Sequence, residues 1–305
     1  MDKVVRKKDL GEEFEHYRAL LFSIAYRMIG SASDAEDLVQ ETYLRYQANA
    51  SQEIVALKAY LSTVITHLAL DYLKSARVTR EQYVGVWLPE PILTSEDSEL
   101  PLADLEQQEE ISLAFLRLLE ALSPPERAVF LLHEVFDYPF REIGGMLEKS
   151  PASCRQIFHR ARQALQNNRA RFELEPQHQR QLLLSFLSAS QAGDVAALTS
   201  LLAQDVVSWS DGGGKVQTHL KPIHGQQAVA RLWCFWLSKG RKDQPALTFT
   251  QAEINGSPAF LVWEEGNLIG ALSLTISPAG IQEIYALLNP DKLAYMRAQL
   301  FNSTR

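Results

Sequence analysis

Apolar residues return every three or four positions in the first part of the chain. Phe14, Tyr17, Leu21 and Ile24 mark one helical stripe, and Gly30 closes that helix. Ser33, followed by Glu36, reads as a capping box opening a second helix, DAEDLVQETYLRYQ. A third helix is expected from about Leu57 to Ala76, in a run free of Gly and Pro. Helical spacing resumes at about Leu105. Ser123-Pro124-Pro125-Glu126 is a capping box with proline in the first turn, ahead of ERAVFLLHEVF. PFREIGGMLEKS reads as a short helix and turn. Ser150-Pro151 repeats the cap-plus-proline signal ahead of ASCRQIFHRARQALQNNRARF.

Beyond Pro176 the period changes. Helical stretches at about Gln177–Ser190 and Val195–Leu202 lead to an apolar run, Val206–Trp209, and a further helix covers about Gln226–Ser238. Four strand-like runs follow: ALTFTQAEI, AFLVWEE, LIGALSLTIS and IQEIYALL. Gly and Pro separate most of them, so helices followed by an antiparallel meander predict an α+β domain. SDGGGK, at Ser210 to Lys215, has glycines and a lysine that could cradle a phosphate. Such a loop needs a helix after it and a Gly-Lys-Ser/Thr end. Lys215 is instead followed by Val-Gln-Thr-His-Leu, which alternates like a strand, so a hairpin turn is expected with Asp211 capping it.

The 305 residues suit two domains and a smaller third. A net charge of −7 argues against a general nucleic-acid coat and leaves room for a local basic face. Between Arg80 and Arg117 there is no Lys or Arg; nine acids and three prolines make its first part an extended acidic linker. Cys154 and Cys234 are the only cysteines and lie far apart, as in a reduced cytoplasmic protein. The first residues lack a signal-peptide core, and no apolar run approaches membrane-spanning length, so no membrane association is expected.

The clearest candidate chemistry lies between Phe140 and Arg171. Two short helices around EKSP have helix–turn–helix dimensions. In the second, Ile157, Ala161 and Leu165 form an inward stripe, leaving Arg155, Gln156, His159 and Arg162 to project outward. Early residues of such a helix reach base edges in a major groove, and arginine suits guanine and phosphate. A solvated basic helix is the bland alternative. The end of the third helix gathers Asp71, Tyr72, Lys74, Ser75, Arg77, Thr79 and Arg80, a mixture suited to single-stranded nucleic acid. An ordinary amphipathic terminus explains it equally well. Asp37, Gln40 and Glu41 share one face of the second helix, where they could meet a basic partner.

Together, DAEDLVQETYLRY, LKAYLSTVITHLALDYLKSAR and LSPPERAVFLLHEVFDYPFREIGGMLEKSPASCRQIFHRARQAL resemble regions two and four of bacterial sigma factors of the extracytoplasmic-function type. The resemblance covers about Phe14 to Arg171. It implies core RNA polymerase and promoter DNA as partners. Asp34, Asp37, Gln40 and Glu41 would meet the polymerase clamp. Asp71 to Arg80 would handle the melted downstream element. Ser153, Arg155, Gln156, His159, Arg160 and Arg162 would read the upstream element. The acidic linker would thread the polymerase.

WLPEP (Trp87, Leu88, Pro89, Glu90, Pro91), DGGGK (Asp211, Gly212, Gly213, Gly214, Lys215) and NPDKL (Asn289, Pro290, Asp291, Lys292, Leu293) occur in that order. This trio resembles the sigma factor subgroup carrying a fused SnoaL-like domain. It implies two all-α sigma domains followed by an α+β SnoaL-like cone that contacts the linker and tunes activity in cis. The expected boundaries are 1–80 for region 2, 81–110 for the linker, 111–172 for region 4 and 176–305 for the regulatory domain. Lys215 would meet the acids of the linker. Asp205, Asp211, His219 and His224 could serve acid–base chemistry in such a cone, but surface or hairpin roles explain them as well. No metal-ligand spacing appears, and no catalytic residue or cofactor is expected. The expectation is a monomer, with a small-molecule ligand of the cone left open. A conventional helix–turn–helix regulator, or an enzyme or ligand sensor fused to a DNA-binding module, remains the alternative.

Overall fold

The structure, a computed structural model, describes residues 2–49, 54–94, 111–166, 176–238 and 246–302. These form two compact units. The described residues of one fall within 2–81, 111 and 115–166; those of the other fall within 82–94, 112–114 and 176–302.

The first unit is helical: α1 (Asp2–Ile29), α2 (Ala32–Ala48), α3 (Leu57–Glu81), most of α4 (Leu113–Leu119), α5 (Pro124–Glu134), α6 (Phe140–Met146) and α7 (Pro151–Gln166). Residues 105–110, where helix was expected to resume, lie outside the described residues. Leu21, Phe22, Ile24, Ala25, Leu61 and Ile65 are fully buried where α1 and α3 pack. Gly30 ends α1 at φ 72°, a left-handed conformation that glycine adopts without a Cβ clash. The next residue, Ser31, is extended, and its hydroxyl accepts from the Asp34 N–H at 3.3 Å. Ser31 therefore caps α2, and Ser33, expected to be the cap, lies within the helix. Ser123 behaves as expected: its N–H and its hydroxyl both donate to Glu126 at the start of α5.

Helices from the two halves of this unit pack against each other, α1 on α5 and α3 on α5 and α6. Much of the join is polar. Ser62 and Tyr138 share a buried hydroxyl–hydroxyl bond of 2.8 Å. Buried Arg127 donates to the carbonyls of Met28 and Leu119. His67 bonds the Met146 carbonyl, and Arg27 lies over the Phe136 ring.

The second unit holds α8 (Pro176–Ala192), α9 (Val195–Leu201), β1 (Leu202–Asp211), β2 (Ile223–His224), α10 (Gln226–Leu237), β3 (Leu247–Ile254), β4 (Ser257–Glu264), β5 (Asn267–Ser277), β6 (Gly280–Leu287) and α11 (Ala294–Asn302). The sheet order is β2-β1-β6-β5-β4-β3. Strands β3 to β6 form the expected antiparallel meander, and β1 joins it parallel to β6. Alternation along the strands sends side chains to two cores. One, with Phe186, Leu198, Val206, Val229, Phe260, Leu272 and Ile284, lies under α8, α9 and α10. The other contains Leu88, Leu93, Leu113, Leu261, Leu287, Leu293 and Met296, so linker residues and α11 cover the opposite face.

The glycines after β1 do not make the expected hairpin. Val216 to Leu220 is irregular, and β1 pairs with Ile223 and His224 instead. The reason is local: the Lys215 and Val216 N–H groups both bond the Gly212 carbonyl, folding the loop on itself. A Cβ at Gly212 would overlap the Val216 carbonyl. Among the described residues, no helix is long and apolar enough to cross a membrane.

Candidate functional site

In the helix–turn–helix, α6 ends in a turn where Glu148 takes φ 53° and the Lys149 N–H bonds the Gly144 carbonyl at 2.9 Å. Gly144 permits this closeness, since a Cβ there would lie 2.6 Å from the Lys149 carbonyl oxygen. Ser150 then accepts from the Ser153 N–H at 3.1 Å and opens α7. Cys154, Ile157, Ala161 and Leu165 are buried, and Arg155, Gln156, His159 and Arg162 are exposed. Arg160 is exposed too, 3.8 Å from Glu126 on α5. Shallow clefts run along both sides of this face; Lys149, Ser153 and Gln156 line one, Arg155 and Arg162 the other. Burial pushes the Cys154 thiol up, so this cysteine acts as packing.

On α2, Asp37 and Gln40 are exposed, and Glu41 pairs with Arg45 at 2.9 Å. Asp34 is engaged internally: it accepts from Ser31 at 2.5 Å and from the Tyr72 hydroxyl at 2.7 Å. Asp34 and Tyr72, drawn from two separate candidate surfaces, thus form one contact between α2 and α3. Beyond it, Lys74 bonds Asp71 at 2.8 Å and holds that exposed carboxyl below its usual range. Ser75 bonds back to the Tyr72 carbonyl. The side chains of Arg77, Thr79 and Arg80 lie outside the described residues.

The second unit brings WLPEP, DGGGK and NPDKL together around Asp211. This carboxylate, with no exposed surface, ends β1. Its Oδ1 accepts from the Tyr83 hydroxyl at 2.5 Å and the Gly213 N–H at 3.0 Å. Its Oδ2 accepts from the Leu88 N–H at 2.8 Å and Lys292 Nζ at 2.7 Å. Lys292 is buried as well and donates to the Leu88 carbonyl. Its ammonium lies 4.0 Å from the Trp87 ring centroid and 4.9 Å from that of Tyr83. A buried ion pair is tolerable when further hydrogen bonds satisfy both partners, and here both have them. Burial, then the bond to Asp211, pushes the Tyr83 phenol well above its usual range.

The described part of the linker beyond Leu88, as far as Thr94, follows the same surface. Leu88, Pro89, Glu90 and Pro91 are buried, and Trp87 is half-buried under Lys292. The Ile92 N–H donates to Asn255 Oδ1 at 3.1 Å, and the Asn255 N–H donates back to the Ile92 carbonyl at 3.0 Å. Leu93 forms an antiparallel bridge to Ile254 and exchanges two bonds with the Gln299 amide. From NPDKL, Asn289 donates to the Tyr83 hydroxyl, Leu293 is buried, and the Pro290 carbonyl accepts from Arg297. Asp291 bonds Lys215 at the surface. Lys215 therefore meets an acid of NPDKL, not one of the described linker acids. Gly213 and Gly214, both left-handed, lie where a Cβ would overlap Asn289 and press on Val84.

Sequence reasoning missed Tyr83, Asn255, Gln299 and Leu113. Tyr83, an aromatic four residues before Trp87, was the one readable signal; the others act through partners distant in sequence. Of the acid–base candidates, Asp211 is engaged in the clasp, and His219 keeps a buried Nε2 with no partner. Among the described residues, no group of three His, Cys, Asp or Glu side chains could hold a metal ion.

A helix–turn–helix with an exposed basic face, packed in one unit with a second helical region, defines the class of promoter-recognition proteins. The family model for Sigma-70 region 2 matches residues 14–79, and that for Sigma-70 region 4 matches residues 112–165. The ECF RNA polymerase sigma factor SigJ of Mycobacterium tuberculosis is 34% identical over 92% of this chain and 92% of its own. The probable ECF sigma factor SigI of the same organism is 30% identical over 93% of this chain and 94% of its own. The crystal structure of M. tuberculosis SigJ superposes with a TM-score of 0.75 at 32% identity, covering 93% of this chain and 98% of that one. The chain belongs to the extracytoplasmic-function RNA polymerase sigma factors, with an α+β domain after region 4.

Proposed function

We propose that this sigma factor binds core RNA polymerase, directs it to promoters, and is regulated in cis by its C-terminal domain through the clasp on the linker. Region 2 meets the polymerase through the open face of α2, at Asp37, Gln40 and Glu41, while Asp34 holds α2 to α3. The end of α3, from Asp71 to Arg80, handles the melted downstream element. Region 4 reads the upstream element through Ser153, Arg155, Gln156, His159, Arg160 and Arg162. No step of this action calls for a catalytic residue or a cofactor, and the protein works in the cytoplasm.

The cis-regulatory reading rests on one observation. Asp211 and Lys292 bond both the N–H and the carbonyl of Leu88. A linker held this way by its backbone is unavailable to thread a polymerase until the clasp opens.

The experiment is promoter-specific transcription in vitro with core polymerase, comparing the full chain with one truncated after Arg171. Different output from the two supports cis regulation, and equal output at all concentrations refutes it. Asp37→Arg with Gln40→Ala tests the polymerase face separately. If that variant binds core polymerase as tightly as the parent, the assignment of α2 is wrong.

A further inference from the structure

Two phenols fasten α3 to α2. In the first turn of α2, Asp34 Oδ2 accepts from the Tyr72 hydroxyl at 2.7 Å. At the other end of α2, the Asn49 side-chain amide donates to the Tyr60 hydroxyl at 3.1 Å and to the Arg45 carbonyl at 2.9 Å. The two helices therefore run antiparallel and are held near both ends. Tyr60 and Tyr72 stand roughly 18 Å apart along the axis of α3. Two fastenings that far apart fix the crossing angle as well as the spacing. They matter because α2 and α3 each pack more broadly on α1 than on each other.

The same bonds constrain what the side chains can do. Asp34 accepts from both Ser31 and Tyr72. A hydroxyl bond to a carboxylate is charge-assisted and stronger than a neutral one. Swinging the Tyr72 ring outward to follow an unstacked base would break it. The backbone there is tied as well, since the Ser75 hydroxyl bonds the Tyr72 carbonyl at 2.8 Å. Stacking on a base uses the ring face, which Phe and Tyr share. The bond to Asp34 uses the hydroxyl, which Phe lacks. The two roles therefore separate in a single substitution.

We propose that Tyr72 and Tyr60 are positioning residues of promoter opening: their hydroxyls, not their rings, set the end of α3 that handles the melted strand against the α2 face that meets the polymerase. This rests on the sigma factor reading and names the residues that align its two working surfaces. Asp34 acts through Tyr72, and Asn49 through Tyr60.

The test uses the full chain, core polymerase and a duplex promoter selected from random sequence with the parent holoenzyme. The same promoter with mismatches across its downstream element serves as a pre-opened template. Permanganate reactivity of unpaired thymines and transcript output are read on both templates. Tyr72→Phe should lower opening of the duplex at least about threefold, since a misplaced group slows a step it does not touch. Tyr60→Phe should lower it less, because its bond is to a neutral amide. On the mismatched template both variants should recover most of the loss. Asp34→Ala with Tyr72→Phe should be no worse than Asp34→Ala alone, as for two ends of one bond. Tyr72→Phe that opens the duplex like the parent overturns the assignment, and a failing Tyr72→Leu beside it would make the ring a stacking platform. A loss as deep on the mismatched template as on the duplex also overturns it, as does a double variant whose losses add in full. If the parent holoenzyme selects no promoter, the sigma factor reading itself falls; the failures of the variants leave that reading standing.

Discussion

Asp211 shows how far a single residue's role depends on its surroundings. In sequence it reads as the cap of a glycine turn, and it does accept from the Gly213 N–H. Its three other donors come from residues 83, 88 and 292. Replacing Lys292 by Met leaves a buried carboxylate without its counter-charge and should cost about 3–5 kcal/mol. The double variant Asp211→Leu with Lys292→Met should lose less than Lys292→Met alone. Denaturant unfolding followed by tryptophan fluorescence measures both, and a double variant worse than the single would contradict the account. Tyr83 adds a pH dependence. Its phenol is raised in the folded protein, so its contribution is complete below the unfolded value of about 10 and falls as pH climbs above it. Stability should thus decline above about pH 10, less steeply in Tyr83→Phe, as thermal melts across that range would reveal.

Elements were legible where the signal is local. The Ser123 and Ser150 caps, the inward stripe of α7 and the four meander strands depend on neighbours within a few residues or on period alone. The α2 cap was misplaced by two positions because Gly30 turns the chain before Ser31, and a Ser–Glu pair cannot report where the backbone is extended. Ser31→Ala should therefore destabilise region 2 by about 1 kcal/mol, and Ser33→Ala by much less, in paired unfolding measurements. The strand expected after Lys215 failed for a related reason. Val-Gln-Thr-His-Leu alternates, but the loop closes on the Gly212 carbonyl and leaves Val216 and Leu220 exposed. On α7, Arg155→Ala should weaken binding to the upstream element by about 1–3 kcal/mol if it reads a base. A uniform loss across unrelated DNA sequences, with a shallower salt dependence, would make it a phosphate contact instead.

At the scale of the whole molecule, the linker is the part whose meaning changed. By composition it is an acidic, proline-bearing spacer, yet Leu88 and Ile92 are fully buried and Leu93 nearly so. Each such side chain contributes about 1.5–3 kcal/mol when withdrawn from water. Removing everything after Arg171 should therefore expose residues 82–94. Limited proteolysis should cut there in the truncated chain and spare that stretch in the full-length protein. Equal cleavage of both would show that the clasp is not maintained in solution.

The sequence by itself determined the helices of the sigma regions, the basic face of α7, the meander and the motifs WLPEP, DGGGK and NPDKL. These follow from short-range periodicity, capping chemistry and residue type. Only the tertiary structure decided that the motifs converge on a buried Asp211–Lys292 pair, that Lys215 turns to Asp291, and that Leu113 shares a core with Leu88. Such partners lie tens to hundreds of residues apart, and neither hydrophobic period nor charge pattern records which distant side chains a folded sheet brings together.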